Sequence, residues 1–237
     1  MFKGSKYSNV LSAVLILAII GIVIILGVVG YSIYRKRYID NGAEQAVRKF
    51  QDSLIDQNTT NNNVSQNIVG GEITGIGEGS EDQNQTGNST SGGNSGSTTG
   101  SKKRTKYKDF YVIGTIKIPS ISLNYPILEK VTKKSLETSV AFLYGPGLNK
   151  VGNNVIIGHN YRNGTMFSNV KKLKNGDAIY ITDTDGKQVK YKVYNSYRTS
   201  GDDATYMTRN TNGKREISLS TCTDDSKARL IVWAKEE

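Results

Sequence analysis

One cysteine and one histidine in 237 residues exclude a good deal before any pattern is read. A single cysteine cannot close an intramolecular disulfide, so a stable fold has to come from its core alone. One Cys and one His fall short of the three or four nitrogen and sulfur ligands of a zinc centre, and no carboxylate pattern completes the set. No metal and no cofactor are expected. Nor does a glycine-rich loop follow a strand and open a helix, so nucleotide binding has no support. The net charge of +10 divides as 11 basic and 8 acidic residues over 1–106 and 20 and 13 over 107–237. Its basic residues are scattered and not interleaved with aromatics, which leaves no expectation of a nucleic-acid partner.

What the chain does have, near its start, is a run of 20 residues, 10–29, with no charge and only Ser12 polar. Such a run crosses a bilayer core as a helix. It is apolar on every face, unlike the stripe of a soluble core helix, and no Ala-x-Ala cleavage pattern follows it. The expected organisation is an N-terminal cytoplasmic tail over 1–9 and a transmembrane anchor over 10–31. Counting Lys3 and Lys6 against Arg35, Lys36 and Arg37 slightly favours the opposite orientation. A low-complexity spacer leading to an enzyme-like domain argues instead for an exported C-terminal part, and a secreted domain without disulfides suits a bacterial surface.

Residues 32–106 read as a juxtamembrane helix followed by a flexible linker. Ile39, Ala43, Ala46, Val47, Phe50 and Leu54 recur at roughly helical spacing. From 58 to 101 the chain is dominated by Asn, Gly, Ser, Thr and Gln, a composition that buries too little apolar surface to fold. A coil of that length reaches roughly 35–40 Å and would let a tethered domain search near the membrane.

From 107 to 237 short β-branched and aromatic runs alternate with Gly, Asn, Asp and Pro. Eight strands are expected, over 110–118, 121–128, 140–144, 155–159, 178–183, 188–196, 216–221 and 229–234. In Val189-Lys-Tyr-Lys-Val-Tyr194 the valines and Tyr191 share one face and the lysines the other. Helical pieces over 132–139 and 166–173 are too brief to form a layer. The expected fold class is mainly β, a single small closed barrel with short helices, with a sandwich as the runner-up.

The lone Cys and lone His both sit where a strand ends, in Val155-Ile-Ile-Gly-His159-Asn160 and Ile217-Ser-Leu-Ser-Thr-Cys222. Arg229 opens the last apolar run. A thiol, an imidazole and a guanidinium supply a nucleophile, a proton carrier and a fixed positive charge, which is the minimum for acyl transfer. The polar turn after Cys222 would leave the thiol within reach of solvent. His before Cys, 63 residues apart, is the reverse of the papain order, and the length allows one barrel, not the two of chymotrypsin-like enzymes.

Leu219-Ser-Thr-Cys222, Arg229 at the start of the last strand and Gly158-His159-Asn160 together resemble the sortase family, with Ser218 where the usual TLxTC signature begins with Thr. The resemblance spans 110–235, and the anchor plus linker is similar to sortase organisation too. It leaves class B-like and class D-like subclasses open. It implies an eight-stranded sortase-type β-barrel and a cysteine transpeptidase on a Gram-positive cell membrane, single-pass, with the catalytic domain outside.

By that resemblance Cys222 attacks the Thr carbonyl of an LPxTG-like sorting signal on a secreted protein and forms a thioester. His159 handles the protons and Arg229 steadies the substrate and the oxyanion, while Asn160, Ser220 and Thr221 contact the substrate. The loop 198–210 is expected to line the groove. The amine acceptor would be a peptidoglycan cross-bridge or a pilin lysine. The N-terminal lid and C-terminal helix usual in pilin-polymerising members are not found in the sequence, which weakens the pilin reading. Two other classes stay open on the residues alone, a surface cysteine endopeptidase and a non-catalytic tethered binding module.

Overall fold

A computed structural model of the chain describes residues 6–66 and 104–237; most of the expected linker, 67–103, lies outside the described residues. The first element is one helix, α1 (Lys6–Gln66), running on through the juxtamembrane stretch and eight residues past position 58, where a linker was expected to begin. The β-rich part then contains β1 (Lys106–Tyr107), β2 (Phe110–Ile118), β3 (Leu123–Leu128), a short helix α2 (Lys133–Thr138), β4 (Val140–Tyr144) and β5 (Gly152–Ile157). After these come β6 (Ala178–Asp183), β7 (Gln188–Ser200), β8 (Arg215–Cys222) and β9 (Ala228–Glu236).

Eight of these strands close on themselves in the order β2-β3-β4-β5-β8-β9-β7-β6, with β6 pairing back onto β2. The two-residue β1 lies along β2 outside this ring. Closure leaves no long unpaired edge and encloses a core. A barrel, not a sandwich, is the outcome, because the pairing of Gly114–Lys117 with Tyr180–Asp183 joins what would be the two free edges. Gly114 matters at that seam, where a Cβ would stand 2.5 Å from the Thr182 carbonyl.

Strand alternation fills the interior. Val189, Tyr191 and Val193 of β7 point into the core while Lys190 and Lys192 face water. The inward side chains meet Ile116, Ile118, Ile127, Ile156, Phe167, Ile179, Ile181, Ile217 and Leu219, all fully or almost fully buried. Among the described residues two pairings are parallel, β3 with β4 and β5 with β8. The first crossover is made by α2, whose N-cap Thr132 and Ser135 form a capping box. The second encloses β6 and β7, and it brings the ends of β5 and β8 side by side.

The stripe at Ile39, Ala43, Ala46, Val47, Phe50 and Leu54 packs on the barrel. Ala43 is fully buried and joins the main core, and Phe50 is buried with Val112, Leu128 and Ala141. Burying a side chain the size of Phe50 contributes about 2 kcal/mol. The Tyr125 hydroxyl donates to Asp40, and burial together with that bond pushes the Tyr125 phenol well above its ordinary pKa. Thr105 donates to Ser53 at 2.8 Å, so the chain re-enters beside the helix it left. α1 therefore packs directly on the barrel.

Upstream of Ile39 the side chains from Val10 onward are exposed almost without break. The helix is long and apolar enough there to cross a membrane, with a mean hydropathy of 3.2 over its most apolar window.

Candidate active site

Three neighbouring strands of the barrel, β5, β8 and β9, end at one rim. In the parallel pair Ile157, the last residue of β5, lies opposite Ser220; Cys222 ends β8 two residues later, and His159 follows two residues past the end of β5. In the antiparallel pair Cys222 is directly opposite Arg229. Paired strands lie about 4.8 Å apart, so Cys222 and Arg229 stand side by side on adjacent strands. The order β5-β8-β9, with Gly158 and Asn160 bonded to the end of β8, sets the backbones of His159, Cys222 and Arg229 in a row along this rim, although they are 63 and 7 residues apart in sequence.

Backbone and side-chain ties continue past the regular strands and hold the row. The Gly158 N–H donates to the Ser220 carbonyl at 3.2 Å. The Thr221 hydroxyl donates to the Gly158 carbonyl at 2.7 Å. The Asn160 amide donates to the Cys222 carbonyl at 3.0 Å. The loop after His159 is drawn back by a Phe167 N–H bond to the His159 carbonyl at 3.1 Å, with buried Met166 at a positive φ of 48°. On the other side Arg229 donates from Nε to the Gly201 carbonyl at 2.9 Å. Neither of its terminal nitrogens has a hydrogen bond or ion pair among the described residues.

Glycine at 158 is a packing requirement. A Cβ there would come within 2.8 Å of Val140 and 2.9 Å of the Phe167 ring, both buried. Gly158→Ala is expected to cost about 1–3 kcal/mol by overpacking and to move His159 off the row. Thermal unfolding should show a lowered Tm, and turnover at a temperature where the variant is folded should still fall. An unchanged Tm with full turnover would show that the close packing under His159 is dispensable.

Cys222 is a half-buried free thiol. It opens into a cavity of about 140 Å³ whose walls include Asn160, Phe167, Lys171, Arg198, Asp224 and Leu230. The rim of this cavity is charged. Lys171 pairs with Asp224 at 2.5 Å, and Asn160 donates to Asp224 at 2.9 Å. The Lys171 bond, and after it the Asn160 bond, hold the Asp224 carboxyl below its ordinary range. Both partners are about half exposed, so the pair sets geometry and contributes little stability. Arg198 lies 3.6 Å from Asp225 on the same turn. Among the described residues no group of three or more His, Cys, Asp or Glu could hold a metal ion.

The expected substrate-contacting residues separate. Asn160 and Thr221 line the cavity, although the Thr221 hydroxyl is already committed to Gly158. Ser220 is a correction: it is fully buried, and its hydroxyl lies 3.2 Å from that of Tyr206, so it has no surface to offer a ligand. Both faces of β8 are covered, and the inward or outward placement of Ser220 was not readable from a strand buried on both sides.

Of the expected groove segment 198–210, Arg198 lines the cavity, but it and the two residues after it belong to β7. Farther on, the segment is pinned down by buried Tyr206, by Asn153 amide bonds to the Tyr206 and Met207 carbonyls at 2.9 and 3.0 Å, and by an Arg209–Glu216 ion pair. Three contributors were missed in the sequence. Asp224 could have been found as the acid in the turn after the thiol. Lys171 and Tyr161, whose ring centroid is 5.0 Å from that of His159, carry no signal in sequence.

Comparison with known proteins gives a consistent result. A family model described as "Sortase domain" matches residues 116–237. Sortase A of Bacillus anthracis is 35% identical over 124 residues, 51% of this chain and 58% of that protein. Sortase A of Listeria monocytogenes is 28% identical over 140 residues, 57% of this chain and 62% of that protein. The chain thus spans less than two thirds of the length of these curated relatives. Among solved structures, sortase A from Corynebacterium diphtheriae superposes with a TM-score of 0.50 at 32% identity, covering 54% of this chain and 62% of that one.

Proposed function

Since the chain belongs to the sortase family of cysteine transpeptidases, we propose that Cys222, His159 and Arg229 are its catalytic residues, acting on a sorting-signal peptide. The observation that supports this is the pairing of Cys222 with Arg229 on β8 and β9, with the segment that carries His159 hydrogen-bonded to the other side of β8 through Gly158 and Asn160. Cys222 as thiolate adds to the carbonyl carbon of the scissile peptide bond in an LPxTG-like segment. The negative charge that develops on the carbonyl oxygen is met by the Arg229 guanidinium. His159 as imidazolium gives its proton to the departing amine, the C–N bond breaks, and a thioester on Cys222 remains.

An incoming amine then enters the same cavity and loses a proton to His159 as it attacks the thioester carbonyl. Collapse of that adduct expels the Cys222 thiolate and leaves a new amide. The acceptor is an amine of the cell wall or of a pilin subunit, and the donor is a secreted protein bearing a C-terminal sorting signal. Residues 10–31 of α1 anchor the chain in the membrane with the barrel on the outer side. Asn160 serves the site by holding the Cys222 carbonyl and the Asp224 carboxylate in place.

The full chain in detergent, incubated with an LPxTG-type peptide with and without triglycine, tests this. Amide product carrying the triglycine, together with an acyl adduct seen by intact mass, is the expected result. Hydrolysed peptide alone, whatever the amine concentration, would make the protein an endopeptidase. Absence of both adduct and product across a library of sorting peptides would leave a binding module.

A further inference from the structure

The helix read above as a membrane anchor is the same unbroken helix that docks on the barrel. No break separates its apolar stretch at 10–29 from its buried stretch beginning at Ile39. Its first contacts fall on the loop that carries His159. Arg35 lies 5.7 Å above the Tyr161 ring, and a Cβ on Gly164 would come within 2.9 Å of the Lys36 ammonium nitrogen. Farther along come Asp40 against Tyr125, then Ala43, Val47 and Phe50. Toward its far end come Ser53 with Thr105, and Leu54, which lies 3.9 Å from where a Gly186 Cβ would be, in the β6–β7 turn. With a rise of 1.5 Å per residue, Arg35 stands about 6 Å beyond Tyr31 and Leu54 about 35 Å beyond it. The barrel thus lies along the helix with its ends at different heights, the His159 loop low and the β6–β7 turn high.

Resting on the reading of 10–31 as a membrane span, we propose that α1 is a rigid arm that holds the active-site end of the barrel against an anionic lipid surface. The arm's own Arg35, Lys36 and Arg37 flank the span at headgroup height. On the barrel side the loop offers Arg162, which is exposed and projects from a left-handed residue with φ 60°, its N–H donating to Asn160 at 3.1 Å. Two basic groups from separate parts of the chain therefore meet one plane, and Asn160 links that plane to Cys222. Height and tilt of the cavity above the membrane are set by helix length, not by a coil.

The full chain is tested with Cys222→Ala, so that a reporter cysteine is the only thiol. Arg162→Cys and Lys187→Cys variants, each carrying a fluorophore, are placed in phosphatidylcholine–phosphatidylglycerol vesicles containing a headgroup-quencher lipid. Quenching at 162 should exceed that at 187 by about threefold or more, given a height difference of about 30 Å along the arm. A short Gly/Ser insertion between Ser32 and Ile33 should bring the two values together, because such a linker bends freely. Equal quenching in the uninterrupted chain, with circular dichroism matching the parent, overturns the arm. The arm predicts a difference in phosphatidylcholine alone as well, with phosphatidylglycerol adding to the quenching at 162 through Arg35, Lys36 and Arg37; no added quenching at 162 overturns the role of anionic headgroups. Failure of the chain to float with vesicles sinks the membrane span itself and is seen before any quenching is read.

Discussion

Cys222→Ala is expected to lower transpeptidation on the order of 10⁴-fold or more and to leave no acyl adduct detectable by intact mass. Covalent catalysis splits one difficult exchange into two easier steps, and alanine has no atom with which to form the intermediate. No other sulfur nucleophile is available, because Cys222 is the only cysteine in the chain. His159 shares the consequence. Carried by the segment after β5 that is hydrogen-bonded to the end of β8, it has protons to move only while a thiol attacks and an amine leaves. The Cys222→Ala/His159→Ala double variant should therefore be no slower than Cys222→Ala alone, within error, while each single variant is severely impaired. Additive losses would mean that the two residues serve separate steps. Activity retained by Cys222→Ala would remove the thioester route altogether.

Much of this geometry was legible because strand patterns are read over a few residues at a time. β2, β4 and β6 begin and end where alternation and flanking turn residues place them. The helical piece expected over 132–139 is α2, with Thr132 and Ser139 as its caps. The expected helix over 166–173 is a 3-10 turn at Phe167–Lys172.

Departures have physical causes. Gly152-Asn153-Asn154 looks like a turn but begins β5, since Asn153 bonds two carbonyls of the 201–214 loop and Asn154 bonds Lys150. β7 runs on to Ser200 through polar residues because β9 supplies a partner along its length. At the site, Cys222 at the end of β8 and Arg229 near the start of β9 were legible; the strand expected over 155–159 stops at Ile157, which leaves His159 just past it, and the side-chain destinations were not legible. Ser220 and Thr221 carry hydroxyls that sequence cannot distinguish from ligand contacts, and the fold commits one to Tyr206 and the other to Gly158. The stripe on α1 announced a helix with one apolar face, yet nothing local says which surface covers it. Only the barrel's closure at β2 and β3 provides that surface.

Arg229→Ala is expected to lower kcat by about 10²–10³-fold, the usual cost of removing one preorganised oxyanion donor. The geometry behind this figure is the cross-strand pairing of Arg229 with Cys222 and the Nε bond to Gly201, which fixes the plane of the guanidinium before substrate arrives. A donor already oriented needs no reorganisation when charge develops on the carbonyl oxygen. Lysine should not substitute: it keeps the charge but lacks both the Nε donor for Gly201 and a planar fork, so Arg229→Lys should fall much closer to alanine than to the parent. Single-turnover acylation is the measurement that matters. If Arg229 acts on the oxyanion, the rate of adduct formation falls while KM moves little. A raised KM with unchanged acylation would instead assign Arg229 to ground-state binding of the sorting peptide. Because Arg229 is half-buried at the start of β9, its Tm must be compared as well, and a kinetic loss much larger than the stability loss is the result that supports the proposed role.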